Sequence, residues 1–186
     1  MADQKLTALT SLGATPDDAD ELYIVDDPAG SPISKKVTVA NLTTHDHGQI
    51  YLHSGVTPQV IAVGGTLEKF TGFTTDGDAH GLAADAANDK ITITRTGIYV
   101  VHFDCTYDGT NNTIATFRAK WNGVEQNHLM WSQKIPGGDV SAGTFAGLLS
   151  ATVAAQDLEI WFTLTSNGHS VTAQHASLTV FRIGGA

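Results

Sequence analysis

The stretch Gly97-Ile98-Tyr99-Val100-Val101-His102-Phe103-Asp104-Cys105-Thr106-Tyr107 decides the fold class. Tyr99, Val101, Phe103, Cys105 and Tyr107 fall at every second position, the period of a strand that lays one face on a core. Ile98 and Val100 take the other phase, so the start of this strand is apolar on both sides. One side fills a sandwich. The other needs cover, either from a second copy of the chain or from a loop over a two-layer monomer. Cys105, the single cysteine, sits in the core phase, where a small hydrophobe explains it better than a nucleophile. Without disulfides, stability must come from the core or from oligomerisation.

Strand signals recur on both sides of this stretch at sandwich spacing. Upstream, Ile91 and Ile93 alternate with Thr92 and Thr94, Asp76 to Asn88 is a polar loop, and Val60 to Phe70 is an opening strand broken at Gly64-Gly65. Downstream, Ala115, Phe117, Ala119 and Trp121 share one face. Asn122-Gly123 then predicts a type I′ hairpin, because both central positions of that turn need positive φ. Val124 to Trp131 should fold straight back. Phe145, Leu149 and Val153 mark a further strand; Leu158, Ile160, Phe162 and Leu164 another; and Ala176 to Ile183 the last. No helical period and no internal repeat is present. The fold class is all-β, an antiparallel sandwich over residues 57–186. Residues 45–56 read as a His-containing linker and residues 1–44 as a separate small module.

The chain has 186 residues, 41% hydrophobic and only 16% charged, with 19 glycines, which suits one large domain of short strands and tight turns. Nineteen acidic against ten basic residues give a net charge of −9, and no basic cluster exceeds Lys35-Lys36. Nucleic acid is therefore not an expected partner. No apolar stretch is long enough for a signal peptide or membrane span, so the expectation is a soluble cytosolic product without membrane insertion.

The run His80 to Tyr107, with its Gly97-Ile98-Tyr99-Val100 step, resembles the C1q and tumour-necrosis-factor-like jelly roll, in which a Gly-aromatic step opens a central strand. Lys120-Trp121-Asn122-Gly123, Ala154 to Trp161 and Ser177 to Ile183 are similar to later parts of that family and follow in the right order. The resemblance covers about 130 residues. It implies a homotrimer, three jelly rolls around a threefold axis, with Ile98, Val100, Tyr99 and Phe181 expected at the subunit interface.

In the N-terminal module, Leu22, Tyr23, Ile24 and Val25 form a short apolar run, residues 26–32 a dense turn signal, and Val37 and Val39 alternate beyond it. This is a β-hairpin with little to bury, stable when packed on a partner. Leu6 to Leu9, Asp20 to Asp26 and Ser34 to Leu42 together resemble the leader of bacteriophage fibre and appendage proteins. The resemblance implies a virion-docking arm whose contacts are Leu22, Tyr23, Ile24, Val25, Val37, Val39 and Leu42, with a major capsid protein or another virion protein as partner.

His45-Asp46-His47 is the sharpest chemical motif. Repeated around a threefold axis, His45 and His47 would bring six imidazoles together, enough for a transition metal ion; otherwise they belong to a solvated linker. No cofactor is required by anything else in the sequence. Asp76-Gly77-Asp78 and Asp108-Gly109 read as turns rather than calcium loops, since Asp76 to Ala87 lacks the terminal acidic ligand. No nucleophile, metalloprotease, phosphate-loop or dinucleotide motif is found, so an enzyme is not expected. The tryptophans and tyrosines fall mostly inside strands and read as packing. Loop residues Asn111, Asn112, Asn167 and His169 are the better candidates for an exposed recognition tip that holds a host surface glycan. The expected function is a trimeric phage capsid decoration or cement protein or short head fibre, at the virion surface. The alternative is a short tail fibre or tip adhesin.

Overall fold

A computed structural model describes residues 21–26, 33–38, 45–137 and 139–185, in two units divided between Thr44 and His45. In the first unit β1 (Glu21–Asp26) pairs antiparallel with β2 (Ile33–Thr38), with Leu22 opposite Val37 and Ile24 opposite Lys35. The expected hairpin strands are therefore present. Val39 and Leu42 lie outside the described residues.

The second unit is a two-sheet antiparallel sandwich. Its strands are β3 (His47–His53), β4 (Gln59–Ile61), β5 (Glu68–Lys69), β6 (Thr75–His80), β7 (Ala83–Asp85), β8 (Lys90–Ile93), β9 (Gly97–Gly109), β10 (Ile114–Trp121), β11 (Val124–Lys134), β12 (Ser141–Ala151), β13 (Gln156–Leu164) and β14 (His169–Gly184). The first sheet runs β11-β10-β13-β8-β7, with β5 beside β13. The second runs β12-β9-β14-β3-β6, with β4 beside β14. A 3₁₀ turn at Ala86–Asn88 is the only helical element among the described residues.

Tyr99, Val101, Phe103, Cys105 and Tyr107 are all buried between the sheets, as their spacing requires. Opposite them lie Ala115, Phe117, Ala119, Leu158, Ile160, Phe162 and Leu164. Phe70 meets Phe103, Phe117 and Phe162 edge-on, with centroids 6.0–6.3 Å apart. Each large side chain so removed from water contributes about 2–3 kcal/mol before ordering costs. Burial pushes the Cys105 thiol far above its usual range, which leaves it an inert core group. Asn122 and Gly123 adopt φ of 51° and 74°, and β11 folds back on β10 as the type I′ turn dictates.

β11 also closes the open side of the sandwich. Trp131 stacks on Phe117 at 4.5 Å and fills the space beside Gly143, where a Cβ would stand 2.0 Å from the indole. Likewise, a Cβ on Gly147 would meet Leu129 at 2.7 Å. The two glycines of β12 are thus the sockets for two side chains of β11.

Three expectations change. Residues 45–56 are not a linker, because β3 pairs with β14 from His47 to His53 and with β6 on its other side. The sandwich starts at His45, twelve residues before Thr57. The single opening strand from Val60 to Phe70 is two fragments in different sheets, β4 on β14 and β5 on β13, split at Gly65 with φ of 81°. The loop from Asp76 to Asn88 holds β6 and β7, edge strands whose mostly exposed residues carry no apolar alternation to reveal them.

Candidate interaction surface

The two outward faces of the sandwich differ in chemistry. On the first sheet, β10 and β13 present Arg118 and Lys120 beside Trp161 and Glu159. Arg118 pairs with Glu125, Lys69 with Glu159 at 2.7 Å, and Lys90 with Asp157 at 3.0 Å. Lys120 Nζ lies 3.8 Å from the Trp161 ring centroid, and the indole N–H donates to Glu159 at 2.9 Å. This is a solvated lattice of paired charges, and the Trp161 ring is already covered.

The second sheet carries a single Lys or Arg, Arg182, in all of β12, β9, β14, β3 and β6. It turns away from the outward face. Its guanidinium donates to the Thr96 carbonyl at 2.9 Å and lies 3.7 Å from Asp46 Oδ2. Arg95 lies 3.6 Å from the other Asp46 oxygen, and the Arg182 N–H donates to the Asp46 carbonyl at 2.7 Å. Asp46 is buried, and Gly81 at φ of 67° leaves room for it, since a Cβ there would fall 2.0 Å from Oδ1. This buried carboxylate fixes the start of β3 to the end of β14.

Strand registers set the outward face of the second sheet in rows. One row reads Leu148, Val100, Phe181, His47, His80; the next begins Ala146, His102, Thr179, Gln49. Then come Thr144, Asp104, Ser177, Tyr51, and finally Ala142, Thr106, His175, His53. The first row and its neighbours Ile98 and Ile183 make an apolar end: Leu148 is 54% exposed, Ile183 53% and Phe181 40%. Histidines populate the remainder. His53 and His175 stand 4.9 Å apart by ring centroids, and His47 stacks on His80 at 6.1 Å.

Of the residues expected at a subunit interface, Ile98, Val100 and Phe181 lie on this outward face. Tyr99 does not: it is fully buried inside the sandwich, its hydroxyl donating to the Arg95 carbonyl at 2.8 Å. Alternation forces this, since Tyr99 sits between two outward residues. Leu148, Ile183 and Tyr51 complete the face and were missed. Consecutive apolar residues at Leu148-Leu149 signal a strand apolar on both sides.

The recognition candidates converge on one end of the sandwich. The Thr110–Thr113 turn touches the Thr165–Ser170 turn through Thr113 and Thr165 hydroxyls at 3.0 Å, and Asn167 accepts from the Gly64 N–H at 2.7 Å. Asn111, Asn112 and Asn167 are exposed. His169, expected in an exposed loop, instead opens β14 opposite Ile61, half-buried.

His47 Nδ1 meets the His45 carbonyl at 2.8 Å and its Nε2 lies 3.4 Å from Asp78. Among the described residues no three His, Cys, Asp or Glu side chains gather to hold a metal ion. A site at His45 and His47 therefore needs ligands from several copies. Of the residues expected to dock, Leu22 to Val25 lie in β1 and Val37 in β2.

No protein-family model matches the chain, and neither does any curated protein. Solved structures do match. Eiger TNF from S. frugiperda superposes with a TM-score of 0.53 over 76% of this chain and 95% of that one, at 12% identity. The fold is the C1q/TNF-like jelly roll. The globular domain of zebrafish complement 1qA protein shares that jelly roll, with a TM-score of 0.51 over 74% of this chain and 97% of its own, at 11% identity. Such identities establish the fold and leave function to the chain's own surfaces.

Proposed function

We propose that the protein is a homotrimeric bacteriophage structural protein, a capsid decoration or cement protein or short head fibre, displayed on the virion by its N-terminal arm. The observation that carries the trimer is the outward face of the second sheet, free of Lys and Arg and apolar along Leu148, Val100 and Phe181. Exposed apolar patches mark contact sites, and a closed symmetric oligomer covers the same patch on every copy. The division at Thr44 into a strand pair and a self-contained sandwich supports the docking role, together with the likeness of residues 6–42 to phage appendage leaders. Three arms binding one lattice at once multiply modest affinities through effective concentration.

Light scattering should give three times 19.6 kDa, and a stable monomer would sink the trimer. For attachment, particles lacking the protein are mixed with the purified chain or with a variant carrying Leu22→Asp and Val37→Asp, which face each other across β1 and β2. Co-sedimentation of the first and loss of the second are expected. Equal co-sedimentation would overturn the arm assignment.

The alternative of a tail-tip adhesin is favoured by one observation, the gathering of exposed Asn111, Asn112 and Asn167 at one end. Competable binding of the trimer to host cells or glycans, lost on substitution of those asparagines, would promote it over the decorative role.

A further inference from the structure

Among the described residues the outward face of the second sheet has no ammonium or guanidinium group, yet it gathers five of the eight histidines. Three of these, His53, His102 and His175, lie away from the His45–His47 end. We infer that this face is an acid-sensitive self-association surface whose release is set by His53, His102 and His175. The inference rests on the trimer proposed above and adds its regulation.

The groups facing these imidazoles are few. His175 is flanked across the register by His53 and Thr106, and His53 has no carboxylate opposite it. Asp108 is engaged by the Gln174 amide at 3.3 Å. His102 has Asp104 at 3.9 Å and Thr144 at 3.1 Å, with Thr179 and Ala146 as its cross-strand neighbours. Tyr51 and Ser177 lie in the row between. Asp78, the remaining carboxylate on this face, stands by His47.

With neutral imidazoles the face can lose water at little electrostatic cost, and imidazole is the side-chain type that changes charge between about pH 5 and 8. Acid turns imidazole into a cation. His53 and His175 then carry like charges 4.9 Å apart, and covering them with another protein surface forbids the solvation that would offset the repulsion. Asp104 relieves only His102. A group that must be neutral in the assembly and is charged in the free chain weakens association as pH falls, on the order of tenfold or more per imidazole between pH 7.5 and 5.0. With three copies the effect is repeated threefold.

The test is sedimentation of the full chain at pH 7.5 and 5.0 in 0.15 M salt (~0.15 M, where long-range charge effects are screened), with near-ultraviolet circular dichroism to follow the tryptophan environment. The expected result is a trimer at pH 7.5 and a folded, dissociated chain at pH 5.0. H53Q/H175Q should stay trimeric at pH 5.0, and H175Q alone should fall between. A monomer at pH 7.5 would overturn the trimer itself. A trimer equally stable at both pH values would leave the trimer standing and overturn the switch. Wild-type acid dissociation in both H53Q/H175Q and H175Q would overturn the assignment to these side chains, and loss of the near-ultraviolet signal with dissociation would overturn release without unfolding.

Discussion

Asp46 is the only buried carboxylate among the described residues, and its two oxygens face Arg95 and Arg182. Asp46→Ala leaves the half-buried Arg182 guanidinium without its counter-charge, and the expected loss is about 3 kcal/mol in urea unfolding. Lys90 and Asp157 give a smaller, pH-dependent contribution. Burial alone would raise the Asp157 carboxyl, but hydrogen bonds from Thr92 and Lys90 outweigh it and hold it below its usual range. The bond to Asp157, then its charge, raises the Lys90 ammonium. A lowered acid contributes above about pH 4 and loses that contribution as pH falls through its folded value; a raised base contributes below about pH 10.5 and loses it as pH rises through its own. The pair therefore stabilises between those limits. Both groups are partly exposed, so Asp157→Asn should lower Tm by about 2 °C at pH 7 and leave it unchanged near pH ~2.5.

At the level of elements, the sockets of β12 set how the sandwich closes. Gly143→Val drives a side chain into the Trp131 indole and should cost about 3 kcal/mol, with a red-shifted tryptophan emission as the ring leaves Phe117. The long strands β9, β10, β13 and β14 were legible in the sequence because one face of each is buried and alternation follows from that burial. β3 was not, since the buried positions at and just before it, Asp46, Gly48, Ile50 and Leu52, include a charge and a glycine. Edge strands β6 and β7 left no apolar trace at all. The same limit applies to the surface: Ile98, Val100 and Phe181 could be read from alternation, whereas the carboxylate lock at Asp46 and the His53–His175 pair depend on β3 lying against β14, a contact across more than 120 positions.

For the whole molecule, the contrast between the two outward faces predicts where copies meet. Phe181→Asp or Leu148→Asp places a charge on the apolar row without touching the core. Each should leave the folding free energy within about 0.5 kcal/mol and reduce the light-scattering mass to that of one chain. If His45 and His47 meet around an axis, elemental analysis should find about one transition ion per three chains, lost when both are changed to alanine. The order of strands in the second sheet has a consequence in time. β14 follows all its sheet partners in sequence and yet stands between β9 and β3. Until it is made, both of those strands offer bare edges with apolar side chains, and no hairpin can shield them. Folding of the sheet must therefore wait until β14 has been made and then close over long loops, which places it on the slow, seconds-like side of the range. Expression at lower temperature, which slows the supply of such open chains, should raise the soluble yield.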